Sequence, residues 1–525
     1  MENNQIPLGD DWHCAVEARE SVNAHHAKSV LPFSSYRANY AFASSHQRRD
    51  IYASPDPRLC KNDKHCRQSQ NMKNLYSDSW FFAVIGIALA TVTILSLTGW
   101  FAGATAPDTS GYFFDLHWPS LWGQQRHPLY SFMISIFGPY ERATRAIATA
   151  QLVLHLLSCV LLYRGARSAG IGKTGAFSLA VSGVLAQVVL QNGRLVAPES
   201  PAISFLILAF AGTLAATTSR RAFNVWIVPV AVAIGIAYSL RPIMLPAIVT
   251  LPLLWLMLVW HRKDAHVILR AATMAGVLAI PFFGQAIIRL VAVDDFNIVS
   301  FGGFQMSAMA GYMLDDKVIA SLPHNVRDTA QQILAVRNAA EADGRVMPTP
   351  LNSSGERSFI SAAVGYYDIY ARSYDTFLVG ILALRAPGEA WVAFNQRLMR
   401  FAFATIRAAP LRWVAWVVGG TSRTLGRMVV TNAPMVLSTA LFLLVWLRQM
   451  LRWPKQPRLG PNDVSLVALV ALAWTATCGP LGFLVTFPSA RYIDTSALLL
   501  PAIPLVGMLA LARAARVSES ERPLV

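Results

Sequence analysis

The chain has 525 residues, of which 54% are hydrophobic and 14% charged, and its mean hydropathy is +0.40. A soluble globular protein carries about 25% charge, so this composition excludes an ordinary cytosolic enzyme. Lys plus Arg number 45 against 29 acids, a net charge of +16, and in a chain this apolar the excess belongs to cytoplasmic loops rather than to nucleic acid.

Residues 1–78 are polar, without sustained helical period and without the apolar core of a signal peptide. They read as a mostly disordered cytoplasmic tail. Met72, just ahead of the first apolar run, leaves open an over-extended gene start. The five cysteines, Cys14, Cys60, Cys66, Cys159 and Cys478, follow no zinc-like spacing, so neither a disulfide framework nor a structural zinc is expected.

Apolar runs long enough to cross a bilayer then follow at about residues 80–103, 146–163, 175–190, 200–216, 226–240, 243–260 and 269–293. These seven spans form an N-terminal transmembrane module over residues 79–293, with a polar, aromatic first outward loop at 104–140. From 294 to 428 the pattern turns amphipathic, with a helical stretch RDTAQQILAVRNAAEA and a loop-like PTPLNSSGERS. That length is too great for a connecting loop, which predicts a helical exoplasmic region. Three more spans are expected at about 435–451, 464–487 and 496–512, within a C-terminal module over 429–513. A short cytoplasmic tail covers 514–525.

The expected fold is therefore an all-α polytopic membrane protein of about ten transmembrane helices, with a mainly helical exoplasmic region between spans seven and eight. Basic clusters at Arg164, Arg167 and Lys173, at Arg220 and Arg221, at His261, Arg262 and Lys263, at Arg448, Arg452, Lys455 and Arg458, and at Arg513 and Arg516 all fall on one side when ten spans alternate. The positive-inside rule makes that side cytoplasmic, together with both termini. The predicted location is the plasma, or inner, membrane.

Polar groups on the outward side carry the functional expectations. The loop TAPDTSGYFFDLHW presents Asp108 and Asp115 seven residues apart, close to two helical turns, among Tyr112 and other aromatic residues. Asp108 serves equally well as the cap of a helix starting at Thr109. QNGRLVAPESP puts Arg194 and Glu199 at a membrane boundary, where Glu199 suits the helix dipole but is also costly enough to be functional. Arg241 in YSLRP and Arg491 in FPSARYID, the latter followed by Tyr492, sit where positive charge is otherwise scarce. A guanidinium at headgroup depth suits bidentate phosphate binding, against the alternative of a snorkelling anchor. No Walker-type lysine loop, HExxH or GxSxG occurs.

PDTSGYFFDL followed by RHPLYSFMISIFG, then APESPAISFLILAF, LRPIMLPAIVTLPLL, QRLMRFAFATIRAAPLRWV and ARYIDTSALLLPAIPLV, resembles in order the motifs of the GT-C class of integral-membrane glycosyltransferases. The resemblance is especially to the bacterial families akin to protein mannosyltransferases and lipid A aminoarabinose transferases. The resemblance implies transfer of a sugar, with inversion, from a polyprenyl-phosphate carrier to an acceptor glycan, lipid or protein of the envelope on the outer side of the membrane. It makes Asp108 the catalytic residue and places Tyr112, Asp115, Glu199, Arg241, Arg491 and Tyr492 in its motifs as substrate-binding candidates, to which the boundary position of Arg194 adds a further one. Members often carry adjacent acids in the first loop, whereas here Asp108 is followed by Thr109, so no metal ligand is assigned and a divalent cation is the one cofactor left open. The competing expectations are a transporter or flippase of lipid-linked glycans, whose outward charges would line a path, and a non-enzymatic scaffold or sensor.

Overall fold

The computed structural model describes residues 78–105, 109–112, 117–118, 120–138, 140–262, 265–345, 379–452, 461–480 and 490–520. Of the expected tail, residues 1–78, all but Asp78 lie outside the described residues, as does the PTPLNSSGERS stretch. The fold is all-α and polytopic. Eight of the described helices are long and apolar enough to cross a membrane.

Helix α1 (Ser79–Leu97) starts where Asp78 caps it, its carboxylate accepting from the Trp80 amide at 3.2 Å. The same carboxylate accepts from the Tyr163 hydroxyl at 2.7 Å and lies 3.7 Å from the Lys173 ammonium. A polar knot thus pins one end of the bundle. Only 28% of α1's apolar window is buried, and Leu89, Ile94 and Leu97 stand exposed. In water such a surface would be an aggregation liability, and hydrocarbon removes the penalty.

The short helix α2 (Pro128–Ser135) leads into α3 (Tyr140–Ser168), α4 (Lys173–Val184) and α5 (Gln187–Asn192). Helix α6 (Glu199–Ala216) is the centre of the bundle, 83% of its apolar window being buried. It packs against α3 at Gly165, where a Cβ would come within 2.4 Å of the Ala211 carbonyl oxygen, so only glycine permits this approach. Small residues at the crossing replace the hydrophobic drive that lipid cannot supply. Helices α7 (Arg220–Leu240), α8 (Ala247–Val259) and α9 (Val267–Val293) each contain an interior proline, Pro229, Pro252 and Pro281. α9 ends on Asp294, whose φ of 54° is a left-handed cap that Asp tolerates.

Beyond α9 the chain builds a second hydrophobic cluster from α10 (Gly302–Tyr312), α11 (Asp316–Ser321), α12 (His324–Ala342), α13 (Trp391–Ala408) and the start of α14 (Pro410–Val430). Arg337 is buried and donates from Nη1 to the carbonyls of Gly311, Tyr312 and Leu314 at 2.9–3.2 Å. A cation there answers the negative end of α10. The sequence RDTAQQILAVRNAAEA lies in α12, as its period predicts. α13 and α14 meet at 99° around Ala409, and Pro410 at the first position of α14 marks the break.

Helices α15 (Ala433–Arg452), α16 (Pro461–Cys478), α17 (Ala490–Ser496) and α18 (Ala502–Ser520) complete the described chain. α15 is the eighth long span. The ninth and tenth expected spans correspond to two shorter apolar helices, Asp463–Cys478 and Ala502–Ala514. Turn residues at 497–501, ending in Pro501, separate α17 from α18, so the last apolar run is divided rather than continuous.

Candidate functional site

A cavity of about 350 Å³ opens at the end of the bundle where α7 stops and α8 begins. Its wall takes Tyr112, Arg126, His127 and Tyr130 from the first loop and α2, Ser239 and Arg241 from the end of α7, Phe282 from α9, and Tyr492 from α17. Asn297, Ile298, Val299, Phe301 and Gly302, with Met399 and Phe403 of α13, close it from the side of the second cluster. Residues almost four hundred positions apart therefore share one hollow.

Two arginines and no carboxylate occur among the described lining residues. Arg241 is the C-cap of α7, and its guanidinium donates to the Glu199 carboxylate at the N-terminus of α6. The pair is buried, with side chains 7% and 8% exposed. Each charge also meets a helix end of opposite sign, the acid at an N-terminus and the base at a C-terminus. Arg241 Nε is buried and has no hydrogen-bond partner among the described residues, and neither has the Tyr112 hydroxyl. Buried donors of this kind are normally satisfied, so their location in a cavity wall marks places where a ligand would bind. The second arginine, Arg126, stands over the rings of Tyr112 at 5.2 Å and Phe301 at 4.9 Å. A guanidinium is well suited to such stacking.

His127 caps α2, its Nδ1 accepting from the Leu129 amide at 3.1 Å. Burial and the nearby Arg289 charge push its pKa down to about 3, an effect the neighbouring Gln285 amide only partly offsets. The ring is neutral at physiological pH. The loop that walls the cavity is held by Arg289, which donates to Asp295 at 2.8 Å, to Ser300 and to the Trp122 carbonyl. Asn297 donates to the other Asp295 oxygen at 2.8 Å. Burial alone would raise the Asp295 pKa, but the hydrogen bonds from Ser300, Asn297 and Arg289 outweigh it and hold the carboxyl below its ordinary value.

The first loop reaches this place through a two-residue parallel pairing, Ala104–Thr105 with Leu195–Val196. Thr109 opens a single 3-10 turn, Thr109–Tyr112, and its hydroxyl donates to the Val196 carbonyl at 3.0 Å. The chain is thereby tied on both sides of residues 106–108 to the segment that leads into Glu199.

Of the residues predicted from sequence, Tyr112, Arg241 and Tyr492 line the cavity and Glu199 stands behind Arg241. Arg194 does not join them: its side chain is exposed and only its carbonyl takes part locally, accepting from the Ala104 amide at 3.0 Å. Asp108, Asp115 and the Arg491 side chain lie outside the described residues. Sequence reasoning missed Arg126, His127 and the Arg289–Asp295 pair. An arginine four residues after Gln285 inside a 27-residue apolar helix was the available signal, because ionisable groups in spans are costly. Among the described residues, no three His, Cys, Asp or Glu side chains approach closely enough to hold a metal ion.

Fold and site together define a multi-pass α-helical membrane protein with an arginine-lined hollow at one end of its spans. No family model, curated protein or solved structure matches the chain at a significant level.

Proposed function

We propose that the protein is a GT-C-type membrane glycosyltransferase that moves a sugar from a polyprenyl-phosphate carrier to an acceptor hydroxyl of an envelope glycan, lipid or protein on the outer side of the membrane. The observation that carries this reading is the convergence of Arg241, Arg126, Tyr112 and Tyr492 on one cavity at the ends of the spans, with no carboxylate among its described lining residues. A cavity of about 350 Å³ falls within the range of small-molecule sites, roughly 300–1,000 Å³. A phosphate suits its two guanidinium groups, and apolar walls such as Phe282, Ile243 and Phe403 suit the first units of a prenyl chain.

The chemistry is a displacement at the anomeric carbon. The acceptor oxygen forms a new bond to that carbon while the bond to the phosphate oxygen breaks, and the polyprenyl phosphate leaves with the electron pair. Asp108, which directly precedes the anchored Thr109, takes the hydroxyl proton. Arg241 stabilises the charge that gathers on the departing phosphate, with Glu199 fixing the guanidinium. Arg491, beside Tyr492, is the second candidate for that charge. A divalent cation remains an optional partner of the donor phosphate, and no step here depends on one.

The test has two arms. Lipids extracted from purified wild-type protein should contain polyprenyl phosphate by mass spectrometry, and Arg241→Gln should reduce that content about tenfold, as expected for one lost charge-assisted contact. Asp108→Asn should keep the bound lipid and abolish transfer from a radiolabelled polyprenyl-phosphate sugar in membranes. Undiminished transfer removes Asp108 from the role. Absence of the lipid together with solute counterflow in liposomes replaces the reading with a transporter.

A further inference from the structure

A second hollow, of about 270 Å³, lies at the opposite ends of the same helices. Arg220 begins α7 and Arg241 caps its far end, so the two hollows are separated along α7 by 21 residues, roughly 30 Å at the helical rise. That is about one hydrocarbon thickness. The second hollow is lined by Thr217 and Ser219 between α6 and α7, by Arg220, by Trp255 of α8, and by Val267 and Arg270 at the start of α9. None of these belongs to the cavity already described.

From these placements we infer that the second hollow is a binding site for the headgroup phosphate of an anionic phospholipid in the leaflet opposite the first cavity. Two arginines, Arg220 and Arg270, line it, and no carboxylate occurs among its described lining residues. The N-termini of two long spans, α7 and α9, converge on it, so their partial positive charges add to the arginines. The structure favours a lipid over free phosphate because of what surrounds the hollow. Ile268 and Leu269 on α9 are exposed within one turn of it, Val225 on α7 is exposed within two, and Trp260 follows the end of α8 with 60% of its surface exposed. An aromatic residue at the boundary and aliphatic residues beside it match a phosphate whose acyl chains run down the α7 and α9 surfaces. A soluble anion would gain nothing from them. This inference rests on the membrane-spanning fold and not on the glycosyltransferase reading.

Full-length protein in neutral detergent is incubated with phosphatidylglycerol, phosphatidylcholine or inorganic phosphate, and bound lipid is counted by native mass spectrometry. Wild-type protein should retain phosphatidylglycerol in preference to phosphatidylcholine, and millimolar phosphate should not displace it. Arg220→Gln with Arg270→Gln should lower phosphatidylglycerol occupancy about tenfold. Arg448→Gln, which removes an exposed charge from α15, should leave it unchanged. If the double variant does not fold, Arg220→Gln alone serves, since that side chain is exposed and its loss leaves the packing intact. Equal occupancy in the arginine variants, an equal loss in Arg448→Gln, or displacement by phosphate overturns the proposal. The first two outcomes point to bulk surface charge, and the third to a soluble anion.

Discussion

Glu199→Gln isolates what the buried ion pair contributes. In the native protein Glu199 and Arg241 compensate each other with side chains less than a tenth exposed. The substitution leaves a guanidinium buried opposite a neutral amide. Removing one member of a buried pair costs about 3–5 kcal/mol, because the surviving charge keeps its desolvation penalty and loses its partner. Loss of a negative charge at the N-terminus of α6 adds roughly 0.3–1 kcal/mol. Domains of about 150–250 residues lose about 2–4 °C of Tm per kcal/mol, and the larger unfolding entropy of this body makes roughly half of that the better expectation. The single variant should therefore melt roughly 3–12 °C lower in detergent when followed by intrinsic tryptophan fluorescence. Glu199→Leu combined with Arg241→Met removes both charges and keeps the volume, and it should recover most of the loss. A double-mutant cycle then yields a coupling energy of a few kcal/mol. A Glu199→Gln variant as stable as wild type, or a double variant that loses the sum of the two single changes, would refute the assignment of a compensated buried pair.

Asp494, on α17 beside the cavity residue Tyr492, is buried, and burial pushes its pKa up to about 6. Between its unfolded value near 4 and about 6 the native state binds the extra proton, so this group's contribution is complete at low pH and is lost as pH rises through 6. Asp494→Asn should accordingly raise Tm at pH 8 and change it little at pH 4, and an identical shift at both pH values would contradict the burial argument. His127→Ala should cost about 1 kcal/mol through loss of the α2 cap, whereas His127→Asn keeps an acceptor for the Leu129 amide and should melt near wild type. Because the His127 pKa is pushed down to about 3, its contribution is present above pH 6.5 and fades as pH falls below that. Chemical-denaturant titrations of both variants at pH 5 and pH 8 test the cap and the titration together.

The spans were legible because each is an apolar run of bilayer length between polar stretches, and the structure places helices on the first seven and on the eighth with shifts of a few residues. The last two runs were only partly legible. Pro501 and the turn before it interrupt the final stretch, and hydropathy averaging smooths across such a break. Glu199 and Arg241 stood out individually because each is charged at a membrane boundary, but their pairing across 42 positions exists only once α6 and α7 are packed. Arg194 had the same local credentials as Arg241, but it falls in the turn between α5 and the Leu195–Val196 pairing, where its side chain is exposed. Arg126 and His127 were hidden in a polar loop where any basic residue reads as solvated. Their significance comes from Phe301 and Arg289, which approach from other elements.

A transporter would place its polar groups along a path through the middle of the bundle, and the described residues offer one cluster of that kind to weigh. His155 lies within α3, fully buried, with its Nε2 2.8 Å from the Gly183 carbonyl and its Nδ1 3.5 Å from the Ser204 hydroxyl. An ionisable residue inside a span is a functional candidate by default. Here, however, the ring joins α3 to α4 and α6 at the level where Gly183 meets Cys159 so closely that a Cβ would stand 2.8 Å from the sulfur. His155 lines neither hollow. The imidazole bridges three helices that small residues have brought together, which is how polar side chains hold helices in lipid. Arg220 and Arg241, which line the two hollows, by contrast lie at the two ends of α7, and Trp226–Gly235 between them carries no ionisable side chain. A charge entering one hollow would have to cross that apolar length to reach the other. The arrangement therefore suits two separate surface sites better than a continuous route.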